Sequence, residues 1–129
     1  MARHYRDIGL RNADGSGRGE KRHVSATVAR VFPDRANHDG AEHQHIWIDA
    51  LQALDGGADY QGNVFVAIRV TEGGIGTDLP FQEGTSVEMQ GMWIPADQAY
   101  AGEDNPDFPV LHFTHRPVGF VIYEGKEYE

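Results

Sequence analysis

The amino-acid sequence predicts a small all-β barrel in a single domain. Between residues 24 and 117, five segments have the composition or the alternation of β-strands, and turn residues separate them. The 129 residues include 16 glycines and 6 prolines, and no stretch has a convincing helical period. A hydrophobic content of 40% is enough for one modest core. Short strands, frequent turns and little helix together favour a closed or half-closed barrel over a sandwich.

The first two predicted strands are read from β-branched composition and from alternation. Residues 24–32 are rich in Val, Thr and other strand-forming side chains, and the segment ends at Pro33-Asp34. The second strand runs from His43 to Leu51 and alternates apolar with polar or aromatic residues. Its pattern places Ile46, Ile48 and Ala50 on one face, and His45, Trp47 and Asp49 on the other.

The remaining strands follow the same logic. The third, Asn63 to Thr71, places Val64, Val66, Ile68 and Val70 on one face and Phe65, Ala67 and Arg69 on the other. The fourth runs from Ser86 to Pro95, and the fifth from Val110 to Arg116. Residues 118–123 and 126–129 predict a terminal hairpin that turns at Glu124-Gly125 and packs outside the barrel. Residues 52–60 and 75–81 are expected to be loops, and 96–109 is a long acidic loop.

The charge is distributed unevenly along the chain. Residues 1–30 hold seven basic side chains against three acidic ones, whereas the rest holds four against seventeen, and the whole chain has a net charge of -9. We therefore divide the chain into a basic, Gly-rich arm at residues 1–22 and a barrel domain at residues 23–129. Two interpretations of the arm remain open: it contacts phosphates, or it docks loosely on its own domain or on a neighbour.

Several functional classes are excluded or disfavoured by what the sequence lacks. With no cysteine, there can be no disulfide scaffold, thiol nucleophile, cysteine zinc site or iron–sulfur cluster. No serine lies in a Gly-x-Ser-x-Gly turn, and Gly73-Gly74-Ile75-Gly76 lacks the residues of a phosphate-binding loop. The longest apolar runs are too short for a transmembrane helix. No signal peptide is visible, so we expect a cytoplasmic protein. The missing nucleophile and phosphate-loop motifs favour a binding module over an enzyme.

The segment from Leu79 to Gly91 identifies the type of barrel. It resembles the entry into the fourth strand of many OB-folds, where a leucine precedes a Gly-containing turn and then an alternating strand that ends at a second Gly. In this sequence the two glycines are Gly84 and Gly91. The first permits the tight turn, and the second lets the strand bend sharply to close the barrel. The resemblance therefore implies an OB-like barrel.

Three further motifs extend the resemblance to a family. They are Glu42-His43-Gln44-His45 in the second strand, His112-Phe113-Thr114-His115 in the fifth, and Gly119-Phe120 followed by Gly125-Lys126-Glu127-Tyr128 at the C-terminus. Together they resemble an uncharacterised family of small bacterial OB-fold-like proteins over roughly residues 23–129. Phe113 replaces the tryptophan usual in that family, and Arg116 replaces a histidine. The resemblance implies one compact domain and no particular chemistry.

The predicted ligand site is the outward face of the second and third strands, the usual binding platform of an OB barrel. There an exposed Trp47 and Phe65 beside Arg69 would stack bases and pair phosphates, so single-stranded nucleic acid or another extended ligand is expected. The complete set of expected ligand-binding residues is Trp47, Phe65, Arg69, His43, His45, Asn63 and Arg116. The alternative is that Trp47 and Phe65 form a second small core beneath the hairpin or the arm.

Two other functions stay open. The basic arm and the aromatic face suit a protein partner, which the acidic body would favour. Alternatively, His43 and His45 form half of a zinc site, with or without hydrolysis, that His112 or His115 completes. The spacing opposes this, because His112 and His115 are three residues apart and would point to opposite faces of a regular strand. We therefore expect no cofactor, with zinc as the alternative.

Overall fold

The computed structural model describes residues 20–33, 35–36, 42–71, 73–99, 102 and 104–129, with only the backbone at 35 and 36. These residues form eight strands and no helix. The strands are β1 (Glu20–Val31), β2 (Arg35–Ala36), β3 (Glu42–Ala53), β4 (Val64–Arg69), β5 (Ser86–Ile94), β6 (Val110–His112), β7 (Phe120–Tyr123) and β8 (Lys126–Tyr128). No helix long and apolar enough to cross a membrane occurs in this part of the chain.

Five of the strands close into a ring. The order is β1, β3, β4, β6 and β5, and the ring closes because β1 pairs with both β3 and β5. The β4–β6 pair is parallel, and the other pairs are antiparallel. The hairpin of β7 and β8 continues the sheet from β5 outside the ring. The predicted small OB-like barrel with a C-terminal hairpin is confirmed.

The long first strand makes closure possible because it serves two neighbours. Residues 20–27 pair with β5, from Glu20 opposite Trp93 to Thr27 opposite Ser86. Residues 24–31 pair with β3, so the middle of β1 has a neighbour on both sides. The register with β3 shifts once between Ser25 and Thr27 and again between Val28 and Arg30. Such shifts increase the bend of a strand, as a small barrel requires. β1 also begins three residues before the predicted start of the barrel domain, so residues 20–22 belong to the sheet. The rest of the predicted arm, residues 1–19, lies outside the described residues.

The barrel interior is filled by the alternate apolar side chains that the sequence pattern predicts. Val24, Val28, Ile46, Ile48, Val64, Val66, Ile68 and Met89 are completely buried there. The hairpin extends this core with Val121 and Tyr123. The Tyr123 hydroxyl accepts a hydrogen bond from the backbone N–H of Gln82 at 3.0 Å, so the hairpin is also tied to the loop before β5.

Gly91 lies where two strands approach closely. A Cβ built on it would be 2.5 Å from the carbonyl oxygen of His112 and 2.9 Å from Cγ2 of Thr114. Any larger residue would push β5 away from the end of β6. The glycine is therefore required by the packing of the barrel wall.

The prediction for Ala50 is wrong. Ala50 is exposed and has a φ of 51°, whereas Leu51 is 1% exposed and takes the inward position after Ile48. The extra residue is a bulge opposite the register shift in β1. A sequence pattern does not reveal a bulge, so strict alternation was extended past Ile48 to Ala50. The inward position was therefore assigned one residue before Leu51, which occupies it.

Backbone conformation also sets two strand ends. β6 stops at His112, earlier than predicted, because Phe113 has a φ of 56° and leaves the extended region. The predicted turn of the hairpin is confirmed, with φ values of 52° at Glu124 and 80° at Gly125. Positive φ at both central residues is the signature of the tight turn that matches the twist of two antiparallel strands.

Candidate functional site

The outer face is defined here as the surface of β3, β4, β6 and residues 30–32, at the end of β1, that points away from the core. Cross-strand pairing places Trp47 opposite Phe65, His45 opposite Ala67, and His43 opposite Arg69. The inward side chains between them, such as Ile46 and Val66, are completely buried. The sidedness predicted for these two strands therefore holds along the whole length of β4.

Half of the outer face is covered by the chain itself. Phe65 is 4% exposed and Ala67 is 8% exposed, and they form a second core with Ile94 and Val110. Trp47, Ala99 and Phe108 pack against this cluster. The expectation that Phe65 lies open to solvent is thus wrong. The alternative expectation, that Trp47 and Phe65 belong to a second small core, agrees with this cluster. The described residues that cover the cluster belong to the β5–β6 loop, residues 95–109. Residues 100, 101 and 103 of this loop lie outside the described residues.

Polar contacts attach the β5–β6 loop to β3. The Asp104 carboxylate lies 2.8 Å from Nδ1 of His45, and its side chain is only 3% exposed. The indole N–H of Trp47 donates to the backbone carbonyl of Asp104 at 2.7 Å. Phe108 packs edge-on against Trp47, with ring centroids 4.9 Å apart. His45 and the indole N–H of Trp47, two groups predicted to meet a ligand, are engaged by this loop.

The part of the outer face that remains accessible contains a cation–aromatic stack. The Arg30 guanidinium lies 4.6 Å from the ring centre of Phe32 and 5.1 Å from that of Trp47. The two rings meet edge-to-face at 5.5 Å. Arg30 is exposed, and both aromatic rings are half-buried. Arg30 and Phe32 were not predicted as ligand residues, although their position at the end of the first strand, two residues apart, was a usable signal.

A group of imidazoles lies at the other end of the outer face. His112 is 3% exposed. Burial, the largest cause, together with the nearby charges of His115 and His43, lowers the pKa of His112 to about 3. Neutral His112 therefore stands beside two other histidines. Its ring stacks on Phe113 at 4.0 Å, and the half-buried His115 directs Nδ1 toward the carbonyl oxygen of Arg116 at 2.9 Å.

These histidines do not assemble as the zinc alternative requires. His45 faces Asp104, whereas His43 lies near His112, so the two members of the His-x-His pair have different neighbours. In the part of the chain that the structure describes, no three His, Cys, Asp or Glu side chains are placed to hold one ion.

Arg69 keeps part of its donor capacity. Its Nε is buried and has no hydrogen-bond partner among the described residues. The guanidinium packs so closely against Gly73 that a Cβ there would be 3.3 Å from Cζ. A guanidinium pairs with an anionic group in solvent through its terminal Nη groups, so the buried Nε is not itself a contact for a ligand.

The two remaining predicted ligand residues lie at the margins. Asn63 is half-buried immediately before β4. The exposed Arg116 is bound to Glu129 of the C-terminus, with Nε and Nη2 at 2.9 and 2.7 Å from the same carboxylate oxygen. The structure therefore brings His43, Arg69 and Trp47 onto one face, joined there by Arg30 and Phe32, and leaves Arg116 engaged elsewhere.

Comparison with known proteins adds no further assignment. No protein-family model, no curated protein and no solved structure matches this chain. What the fold establishes is a small five-stranded mixed β-barrel, and the family resemblance rests on the sequence motifs alone.

Proposed function

We propose that this protein is a non-enzymatic binding module for single-stranded nucleic acid, which it holds along the accessible part of the outer face. The observation that carries the proposal is the stack of Arg30 on Phe32 and Trp47. Aromatic faces beside a guanidinium are the common means of stacking unpaired bases while pairing their phosphates, at about 1–3 kcal/mol per stacked base.

A second contact region supports the same ligand. Arg69 and His43 lie opposite each other across β4 and β3. His43 is four residues from Trp47 along β3, which corresponds to roughly 13 Å in a strand. The β5–β6 loop covers His45 between these two regions, so an extended ligand that reaches both the stack and Arg69 passes over this loop, with a base at the first position and a phosphate at the second.

The charge of the molecule sets the expected affinity. A net charge of -9 repels a polyanion, so binding should be weak and favoured at low salt. If Arg30 and Arg69 are the two phosphate contacts, the logarithm of the binding constant should fall with the logarithm of salt concentration with a slope of about -1.4. A much steeper slope would indicate that the basic residues of 1–19 also contact the nucleic acid.

The test is fluorescence anisotropy of a labelled oligothymidylate at low salt. Phe32→Ala should weaken binding about tenfold, and Arg30→Gln should weaken it and reduce the salt slope by about 0.7. Lys126→Gln is the matched control, because it removes the same charge from an exposed residue of β8. Equal effects of Arg30→Gln and Lys126→Gln, or no binding of any single strand, would reject the proposal.

A further inference from the structure

One mouth of the barrel opens into a cleft that is separate from the Arg30 stack. Its volume is about 340 Å³, and it is lined chiefly by Tyr60, Trp93, Pro95, Pro109, Arg22 and Asp59. Barrel mouths are common binding sites, and this volume lies at the lower end of the range for ligand pockets. The cleft is open to solvent, which suits a segment of chain better than an enclosed small molecule.

Two aromatic rings form the apolar walls. Tyr60 and Trp93 meet edge-to-face with ring centroids 5.3 Å apart and planes at 64°. The backbone N–H of Tyr60 donates to the carbonyl oxygen of Leu51 at 3.1 Å, and Trp93 belongs to β5, so both rings are carried by ordered backbone. Both side chains are half-buried and pack on the core with their inner parts. They present a fixed aromatic corner to solvent.

The positive charge of Arg22 in the cleft is neutralised by an ion pair with Asp55. Nε of Arg22 donates to Asp55 at 3.0 Å, and Nη2 donates to the carbonyl oxygen of Ala58 at 2.7 Å. The N–H groups of Gly57 and His23 also donate to Asp55 and, with Arg22, lower the pKa of this carboxyl to about 2. Asp55 is therefore ionised at neutral pH, and the pair contributes no net charge to the cleft.

Among the residues that the structure describes, the net charge of the rim is consequently negative. Asp59 lines the cleft and is exposed, and the exposed Glu20 lies directly opposite Trp93 across β1 and β5. Neither carboxylate has an ion-pair partner among the described residues. An aromatic corner with an acidic rim disfavours nucleic acid and favours a positively charged ligand.

We infer that this cleft binds a proline-rich segment of another protein that carries Lys or Arg. Proline rings pack on aromatic faces, and a polyproline II segment loses little conformational entropy when it binds a shallow aromatic groove. The basic residues of the segment would meet Asp59 and Glu20. This inference does not depend on the nucleic-acid proposal, because the two sites have no residue in common.

The experiment uses the full chain with Trp47→Phe, which leaves Trp93 as the only tryptophan of the two in the sequence. The probe is a peptide of repeated Pro-Pro-Arg, and the comparison peptides are repeats of Ala-Ala-Arg and Pro-Pro-Glu. We expect a saturable change in Trp93 fluorescence with Pro-Pro-Arg, and binding at least about tenfold weaker with each comparison peptide. Equal binding of all three peptides, or no binding of Pro-Pro-Arg, would overturn the inference.

Two variants locate the site. Asp59→Asn keeps the side-chain oxygen that accepts from the backbone N–H of Ala53 at 2.8 Å but removes the charge, so it should weaken Pro-Pro-Arg binding several-fold at low salt. Phe32→Ala, on the outer face, should leave peptide binding unchanged. Loss of peptide binding in Phe32→Ala, or unchanged binding in Asp59→Asn, would contradict the assignment.

Discussion

The carboxylate of Asp104 lies 2.8 Å from Nδ1 of His45, and this contact joins the long β5–β6 loop to the middle of β3. The contact is largely removed from solvent, since the two side chains are 3% and 19% exposed. It explains why a face with the composition of a ligand platform is half covered by its own chain. It also makes the attachment of this loop testable by single substitutions.

Asp104→Ala should destabilise the protein by about 1–3 kcal/mol, because it removes a buried hydrogen-bond partner of His45 while retaining the backbone carbonyl that Trp47 uses. Urea denaturation measures the loss. Asp107→Ala, at an exposed carboxylate of the same loop, is the control and should change stability by less than about 0.5 kcal/mol. Equal effects of the two substitutions would show that the His45 contact does not hold the loop.

The stability of the protein should depend on pH through His112. Because the folded pKa is about 3 and the ordinary value is 6.5, the unfolded chain binds more protons between these values. Unfolding free energy should therefore rise from about pH 3 to about pH 6.5 and contribute no further slope above that range. Within the window the contribution approaches about 1.4 kcal/mol per pH unit.

Denaturation curves at several pH values check this expectation. His112→Phe, which replaces one ring with another that cannot titrate, should flatten the slope in this window relative to the parent protein. His115→Gln, at the half-buried neighbour, should leave most of the slope in place. An unchanged slope in His112→Phe would mean that His112 is not the group responsible.

Gly91→Ala should destabilise the protein more than the same substitution at a glycine that has open space around it. The added Cβ would meet the backbone oxygen of His112 at 2.5 Å, and backbone cannot move aside as a flexible side chain can. We expect a loss of about 1–3 kcal/mol or more. Gly125→Ala, where a Cβ meets nothing within 4 Å but φ is +80°, should cost about 1 kcal/mol and serves as the comparison in thermal melts.

Zinc should bind to this protein at well below one equivalent per chain. His45 is engaged with Asp104, and no group of three potential ligands converges among the residues that the structure describes. Metal analysis of protein purified without an affinity tag, together with melting in the presence of a chelator, measures this. One equivalent of zinc, lost in His43→Gln, would reverse the conclusion and make a hydrolytic activity worth testing.

Local sequence determined the strands and their sidedness. Alternation between apolar and polar residues is a property of neighbouring positions, so Ile46 and Ile48 on one strand, and Val64 to Ile68 on the next, could be placed without any knowledge of distant contacts. The turn at Glu124-Gly125 was equally local. From these elements the number of ring strands and the terminal hairpin followed.

Only the tertiary structure decided what lies on top of the outward side chains. The cover over Phe65 comes from residues more than 30 positions away, and its contacts depend on how the β5–β6 loop folds back, which no periodicity encodes. The accessible stack of Arg30, Phe32 and Trp47 depends on a register shift after Val28, and the inward turn of Leu51 depends on a bulge at Ala50. Bulges and loop packing are set by closure of the whole barrel, because a single residue inserted in one strand is compensated only by its neighbours across the sheet.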